Sequence, residues 1–486
     1  MQSFWLPLAV LLPFGFGALL YALPVRSYRL RLGLTLLFTT AVSALIVALL
    51  VDPPAPVEWI RFAPNLVFYQ SIDGVGRFFL GILAALWPLT VLYAVSYMRH
   101  EAHTRMFFAF FTAAYGACIG IATAGNLFTM YCFYELLTLT TLPLVMQPMT
   151  HAARKASRMY FLYSIGGAAF AFAAMLFLIA NGASGPFEAG GILKGNVPIS
   201  ADVARLFWLF GFVGFGVKAA IFPLHAWLPK ASVAPTPVTA LLHAVAVVKS
   251  GAFAVIRLTY DCYGTELLSG SWAQTAALLL VSFTIVYGSS IAVRETHFKR
   301  RLAYSTVANL SYILFGVTLM TPEGLSAALM HMAAHACIKI VLFFAAGAVL
   351  HQSGRESVYE LDGIGRRMPV TFVCFTISAL SLMGVPPLNG FVSKWTLLRA
   401  GAELGGVAWI GCGALLVSAL LTAIYLLSAA RRAWFPDRNA DIASLSTVRE
   451  ADGWMLAPML MLTVATVLCG VFAEPIFAAA QAAAGL

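Results

Sequence analysis

Residues 215–258 read FGVKAAIFPLHAWLPKASVAPTPVTALLHAVAVVKSGAFAVIRL. Two long apolar runs meet in this stretch, and each carries a lysine well inside it, Lys218 in the first and Lys249 in the second. Glu135, Lys339 and Lys394 interrupt other apolar runs in the same way. A charge at the centre of a bilayer costs about 2.5–3.5 kcal/mol on insertion scales. Lipid surrounds a bundle of such runs, so no solvated outer face accounts for these residues. They face the bundle interior, where paired or hydrated ionisable groups usually mark an ion path.

Composition places the whole chain in the same class. Of 486 residues, 61% are hydrophobic and 10% charged, against about 25% charged in a soluble domain. Runs of 18 or more apolar residues recur from end to end, as membrane-spanning helices require, whereas a transmembrane barrel would show short alternating segments. The formal net charge of +10 does not point to nucleic acid, because most Lys and Arg lie in alternate short loops, the positive-inside pattern. The seven Cys form no Cys-x-x-Cys pair, so no iron–sulfur or zinc framework is visible. Residues 3–24 are apolar and lack a basic leader, which reads as a retained first helix.

The expected fold is an all-α polytopic membrane protein of about 14 spans, at roughly 3–24, 30–51, 74–98, 106–125, 127–148, 157–181, 203–229, 236–260, 272–293, 302–321, 324–350, 369–402, 407–430 and 453–476. One set of loops holds Arg26, Arg29, Arg99, Arg105, Arg154, Lys155, Arg158, Arg294, Lys299, Arg300, Arg301, Arg366, Arg367, Arg431 and Arg432. The opposite set holds Asp52, Glu58, Glu188, Asp261, Glu266, Glu323 and Glu403. The basic set belongs in the cytoplasm, which puts both termini outside. Two spans are interrupted, the seventh by Pro223 within VKAAIFPLHAWLP (217–229) and the twelfth by Gly384, Pro386 and Pro387 within LMGVPPLNGFVSKW (382–395). Proline removes a backbone donor, and each break lies beside a lysine. Broken spans five apart suggest inverted repeats. The expected division is residues 1–105 for the first three spans, 106–260 for one repeat, 271–431 for the second and 452–486 for the last span.

At about 1.5 Å per residue, Glu135 lies roughly 14 Å into its span, Lys218 and Lys249 roughly 20 Å, and His335 and Lys339 roughly 17 and 23 Å. The hydrocarbon core is about 30 Å thick, so these groups cluster near the midplane, on different spans, with Lys394 nearer the outside. Burial and a movable counter-charge can load or unload a lysine's proton; Glu135 with Lys218 is the expected pair. His331, His335 and Lys339 fall at i, i+4 and i+8 on one face, and histidine titrates where it can relay protons. A His pair at i, i+4 could also hold a metal, but no third ligand is apparent and Lys339 opposes a cation. His225 and His243 flank the broken seventh span and read equally as relays or as hydrogen-bonded core residues. The polar tenth span, LAYSTVANLSYILFG (302–316), reads mainly as interhelical hydrogen bonding. GFVGFG (211–216) has the wrong order for a dinucleotide loop, and its small residues suit close helix approach.

The 215–258 stretch closely resembles the signature of the antiporter-like, proton-translocating subunits of respiratory complex I, membrane-bound hydrogenases and Mrp-type cation/proton antiporters. MYCFYELLTLTTLPLV (130–145), HMAAHACIKIVLFFAAG (331–347) and VPPLNGFVSKW (385–395) resemble that family's fifth, eleventh and twelfth spans. The resemblance covers about residues 70–430. It implies fourteen helices in two inverted five-helix repeats. It also implies that Glu135 and Lys218 are the switching pair, Lys249 the central lysine, His335 and Lys339 the relay, and Lys394 the terminal residue. The chain stops soon after the last span, unlike L-like and A-like subunits with a long lateral helix. It carries Lys394 where the M-type subunit typically has Glu. Both features favour something similar to the Mrp D subunit, its hydrogenase relatives or the N-type subunit.

The resulting expectation is a proton-translocating subunit of a multisubunit complex in the bacterial inner membrane, with an Mrp-like or hydrogenase-like assembly preferred to standard complex I. The expected path is Glu135, Lys218, His225, His243, Lys249, His331, His335, Lys339 and Lys394. Its partners are other membrane subunits, the lipid bilayer and protons, with sodium left open. No cofactor, metal or redox site is expected in this chain. The rival readings are a non-conducting coupling subunit and an independent secondary transporter for an organic solute.

Overall fold

In lipid every backbone N–H and C=O must be satisfied within the protein, and an α-helix does this within a single segment. A computed structural model describes residues 4–23, 27–193, 200–437 and 443–486; Arg26 of the first basic loop lies outside them. The apolar runs form α1 (Trp5–Ala22), α2 (Tyr28–Val51), α3 (Gly74–Tyr97), α4 (Thr104–Ala122), α5 (Leu127–Met146) and α6 (His151–Ala180). The seventh span divides into α7 (Ala201–Gly216) and the short α8 (Trp227–Ala231). The eighth divides into α9 (Thr236–Ala244) and α10 (Val247–Ile256), then a π-helical turn over Arg257–Tyr263 and the single turn α11 (Thr265–Leu268). Next come α12 (Trp272–Arg294), α13 (Phe298–Thr318) and α14 (Pro322–Ser353). The twelfth span is split into α15 (Pro369–Met383) and α16 (Asn389–Leu404), followed by α17 (Ala408–Trp434), α18 (Gly453–Val471) and α19 (Glu474–Ala484).

Eleven segments among the described residues are long and apolar enough to cross a membrane. The other three expected spans are the two broken ones and α13, whose first turn is Phe-Lys-Arg-Arg. The fold is therefore the polytopic helical bundle that the sequence predicts. Four details differ from that expectation. An antiparallel hairpin, β1 (Val57–Ala63) with β2 (Leu66–Gln70), fills the connection between α2 and α3. The eighth span breaks at Val245 and Ala246, where no proline signals it. The last expected span ends at Val471, and α19 follows as a separate helix. The helices also reach into two basic loops: α6 begins at His151 and takes in Arg154, Lys155 and Arg158, and α13 takes in Lys299, Arg300 and Arg301. Arg301 is buried and donates to the carbonyls of Glu295 (2.8 Å) and Tyr425 (3.1 Å), so it ties α13 to α17 rather than lying in solvent.

Protein partners satisfy the backbone groups that the breaks set free. After α7, Ile221 N donates to Gly216 O (3.1 Å), Phe222 N to Thr284 Oγ1 (3.2 Å) and Trp227 Nε1 to Val217 O (2.9 Å). Between α15 and α16, Gly384 takes a left-handed φ of 96° to end the helix, a conformation that costs glycine nothing. Ser381 Oγ then bonds Asn389 Oδ1 (2.7 Å) and accepts from Gly390 N (3.1 Å). Close packing uses small residues: a Cβ on Gly214 would lie 2.5 Å from Ala171 N and 2.7 Å from Gly167 O, so α6 and α7 touch backbone to backbone. The helix α14 is the hub. It packs against α3, α9, α13, α15, α16, α18 and α19, which buries the face that carries His331, His335 and Lys339.

Candidate functional site

Each ionisable residue of the bundle interior is set by a helix or by a break in one. Glu135 projects from the middle of α5. Lys218 follows directly on the end of α7, in the irregular segment that Pro223 imposes. Their charged atoms, Glu135 Oε1 and Lys218 Nζ, are 3.9 Å apart. The pair is asymmetric: the Lys218 side chain is 1% exposed and that of Glu135 26%. Lys218 Nζ also donates to the Tyr134 carbonyl and lies 3.3 Å from the centre of the Tyr134 ring, a cation–π contact. The pair therefore connects the bundle interior to its outer surface at α5, where Leu139 is 55% exposed.

Lys249 lies in the first turn of α10, and Gly251 brings that helix against the break. A Cβ on Gly251 would fall 2.6 Å from Ala219 N and 2.9 Å from the Lys218 carbonyl carbon. Lys249 Nζ lies 2.6 Å from His335 Nδ1. One nitrogen must carry the shared proton and the other must offer a lone pair, so this pair is built to hold one proton between two owners. The rings of His335 and His331 are 6.0 Å apart on consecutive turns of α14. His331 Nδ1 lies 3.0 Å from Ser393 Oγ, and the next residue is Lys394. Lys394 Nζ donates to the carbonyls of Leu382 (2.5 Å) and Met383 (3.3 Å) at the C-terminus of α15 and lies 5.2 Å from the Tyr312 ring. Cations are favoured at that end of a helix.

The structure brings six of the expected residues together and sets three aside. Lys249, His335, His331 and the Ser393–Lys394 pair form one sequence of contacts, with Glu135 and Lys218 beyond the Gly251 contact. Lys339 stands to one side: it donates to the Leu302 carbonyl (2.9 Å) and to Ser305 Oγ on α13, so His331 rather than Lys339 leads toward Lys394. His243 reaches Ser232 Oγ at 3.4 Å and packs on Phe343, which also faces Lys339. His225 sits in the first break among the rings of Phe222 and Tyr287, away from the other histidines.

Among the described residues, no carboxylate pairs with Lys249, Lys339 or Lys394. Several buried polar atoms nearby make no protein hydrogen bond: Thr138 Oγ1, His243 Nδ1, Ser250 Oγ, Asn309 Oδ1, Ser311 Oγ, His331 Nε2 and His335 Nε2, as well as Glu135 Oε1, whose one protein contact is the longer ion pair with Lys218. Orphaned buried polar groups call for bound water, which can also link polar groups too far apart for a direct hydrogen bond. The interior therefore suits a hydrated proton path more than a set of static ion pairs. Sequence reasoning missed Tyr134 and Ser393, at which only their places beside Glu135 and Lys394 hinted; Ser305 makes the kind of interhelical hydrogen bond expected of the polar tenth span, with Lys339 as its donor. Sequence reasoning also placed Asp261 in an outer loop. Asp261 is instead buried in the π-helical turn, paired at 2.8 Å with Arg257, which also grips Asp73.

Comparison with known proteins agrees with this architecture. The family model described as NADH:quinone oxidoreductase/Mrp antiporter, TM, matches residues 124–422. NADH-quinone oxidoreductase subunit N of Desulforudis audaxviator is 33% identical, over 81% of this chain and 80% of that protein. The A/B component of a probable K(+)/H(+) antiporter of Rhizobium meliloti is 30% identical over 85% of this chain, which spans 41% of that longer protein. A chain of an archaeal respiratory membrane complex, the membrane-bound sulfane sulfur reductase, has the same fold, with a TM-score of 0.86 at 23% identity and 99% and 97% of the two chains covered. On sequence and on fold alike, the chain belongs to the NADH:quinone oxidoreductase/Mrp antiporter transmembrane family.

Proposed function

We propose that this antiporter-like membrane subunit conducts protons within a multisubunit complex of the complex I or Mrp type. The observation that carries the reading is the buried sequence of contacts from Lys249 through His335 and His331 to Ser393 and Lys394. Protons enter from the cytoplasm near the broken seventh span and pass Lys218 and Lys249. They then follow His335 and His331 and leave near Lys394. Lys339, one turn from His335 and bonded to Ser305, serves as a side store. Glu135 at the bundle surface sets the charge of Lys218 in response to a neighbouring subunit, which its partial exposure supports. The two breaks, each next to a lysine, fit two repeats at residues 106–260 and 271–431. The basic loops fit a bacterial inner membrane with both termini outside.

The test is proton flux in vesicles carrying the assembled complex with Lys394→Ala. Loss of flux with normal assembly is expected. A subunit that only couples its neighbours mechanically would keep full flux, and that result would overturn the conducting reading.

A further inference from the structure

A groove of about 740 Å³ opens on the flank of the bundle between α3, α14 and α19. Ligand sites fall at about 300–1,000 Å³. Small residues such as Gly81, Ala85, Ala333 and Ala479 form much of its wall, with larger apolar side chains such as Phe78 and Ile476 between them. Arg77 stands at its rim, exposed, one turn into α3 at the hairpin end of the bundle. Among the described residues, Arg77 has no acidic partner: both oxygens of the adjacent Asp73 are taken by Arg257. From Asp73 to Leu86 the groove follows α3 for thirteen residues, or about 20 Å. It ends beside Cys337 of α14.

That length decides among occupants. A neighbouring spanning helix would need a track across the whole hydrocarbon core, about 30 Å. A phospholipid tail needs one leaflet, about half of that, with an anionic phosphate at the surface. An apolar channel that starts at the Arg77 guanidinium, beside an Asp73 carboxylate already matched by Arg257, and stops near the midplane has the second shape. We propose that the groove is a binding site for an anionic phospholipid, with its phosphate at Arg77 and an acyl chain along Gly81 and Ala85 to Cys337. The chain end then lies between the levels of His335 and Lys339 on α14, where it seals the flank of the charged interior against the bilayer. The binding site does not depend on the conducting role proposed above.

A Cβ on Gly81 would meet nothing within 4 Å, so Gly81→Trp fills the groove without backbone strain. Arg77→Gln, on an exposed residue, removes the phosphate partner without altering the core. The assembled complex and both variants are exchanged into lipid-free detergent, offered equal phosphatidylglycerol and phosphatidylcholine, and the retained phospholipid is quantified by mass spectrometry. The native complex should keep a phospholipid at this site with about a fivefold preference for phosphatidylglycerol. Arg77→Gln should abolish the preference, and Gly81→Trp should lose the lipid while Gly81→Ala keeps it. Retention and preference unchanged in Arg77→Gln would overturn the site, whether or not Gly81→Trp assembles. Efficient cross-linking of Gly81→Cys to a neighbouring subunit would also overturn it, by showing that protein covers the groove.

Discussion

Glu135→Gln removes one charge and keeps the side-chain volume. At the 3.9 Å separation from Lys218 Nζ, two unit charges attract by about 1 kcal/mol in water and by about 4 kcal/mol at an effective permittivity of about 20. Glu135 is partly exposed and Lys218 is not, so the true value falls between these limits. Each 1.4 kcal/mol is tenfold, so loss of the partner changes the protonation equilibrium constant of Lys218 by a factor of about 5 to about 1,000. A proton path that depends on charging Lys218 should slow by at least about fivefold. Glu135→Asp, with a shorter reach to the same nitrogen, should keep part of the rate. The measurement is the initial rate of vesicle acidification, followed with a pH-sensitive dye, with assembly monitored by native electrophoresis. Full transport by an assembled Glu135→Gln complex would show that this carboxylate does not control Lys218.

Three further outcomes follow from the same geometry. Lys249→Arg keeps a positive charge but cannot release its proton, so proton flux should vanish although the complex assembles; a purely electrostatic role for Lys249 would leave flux near normal. Arg257→Ala strands the buried carboxylate of Asp261 and frees Asp73. Breaking a buried pair typically costs about 3–5 kcal/mol, so the thermal unfolding midpoint should fall clearly, whereas an unchanged midpoint would mean that the cluster does not fasten α3 to the π-helical turn. Gly214→Val should push α7 from α6, because even a Cβ would lie 2.5 Å from Ala171 N. Overpacking of this kind costs about 1–3 kcal/mol, and a variant with native thermal stability would contradict the close approach.

The sequence displayed the membrane class and the span positions because the requirement is local. A run of about 20 apolar residues is a property of the run itself, and so is a charge within it. Pro223 and Pro386–Pro387 likewise announced two breaks through the loss of a backbone donor. Val245 and Ala246 carry no such mark. That break separates α9 from α10 about a turn and a half before Gly251, which meets the Lys218 segment, and nothing in the composition of the run foretells it. The hairpin at Val57–Gln70 was equally hidden, because its strands are short and held partly by distant bonds such as Asn126 Nδ2 to Val67 O (2.9 Å).

The ionisable residues were legible one at a time, and their depth followed from counting residues along each span. Which of them meet was not. Helical spacing put His331, His335 and Lys339 on a single face, and from that alone Lys339 stood as near to Lys394 as His331 did. The packing of α16 against α14 gave Ser393 to His331, and the packing of α13 against α14 gave Ser305 and Leu302 to Lys339. A side chain's position along its own helix is fixed by the rise per residue. Its partner is fixed by how separate helices rotate and slide against one another, and that depends on contacts between residues far apart in the chain.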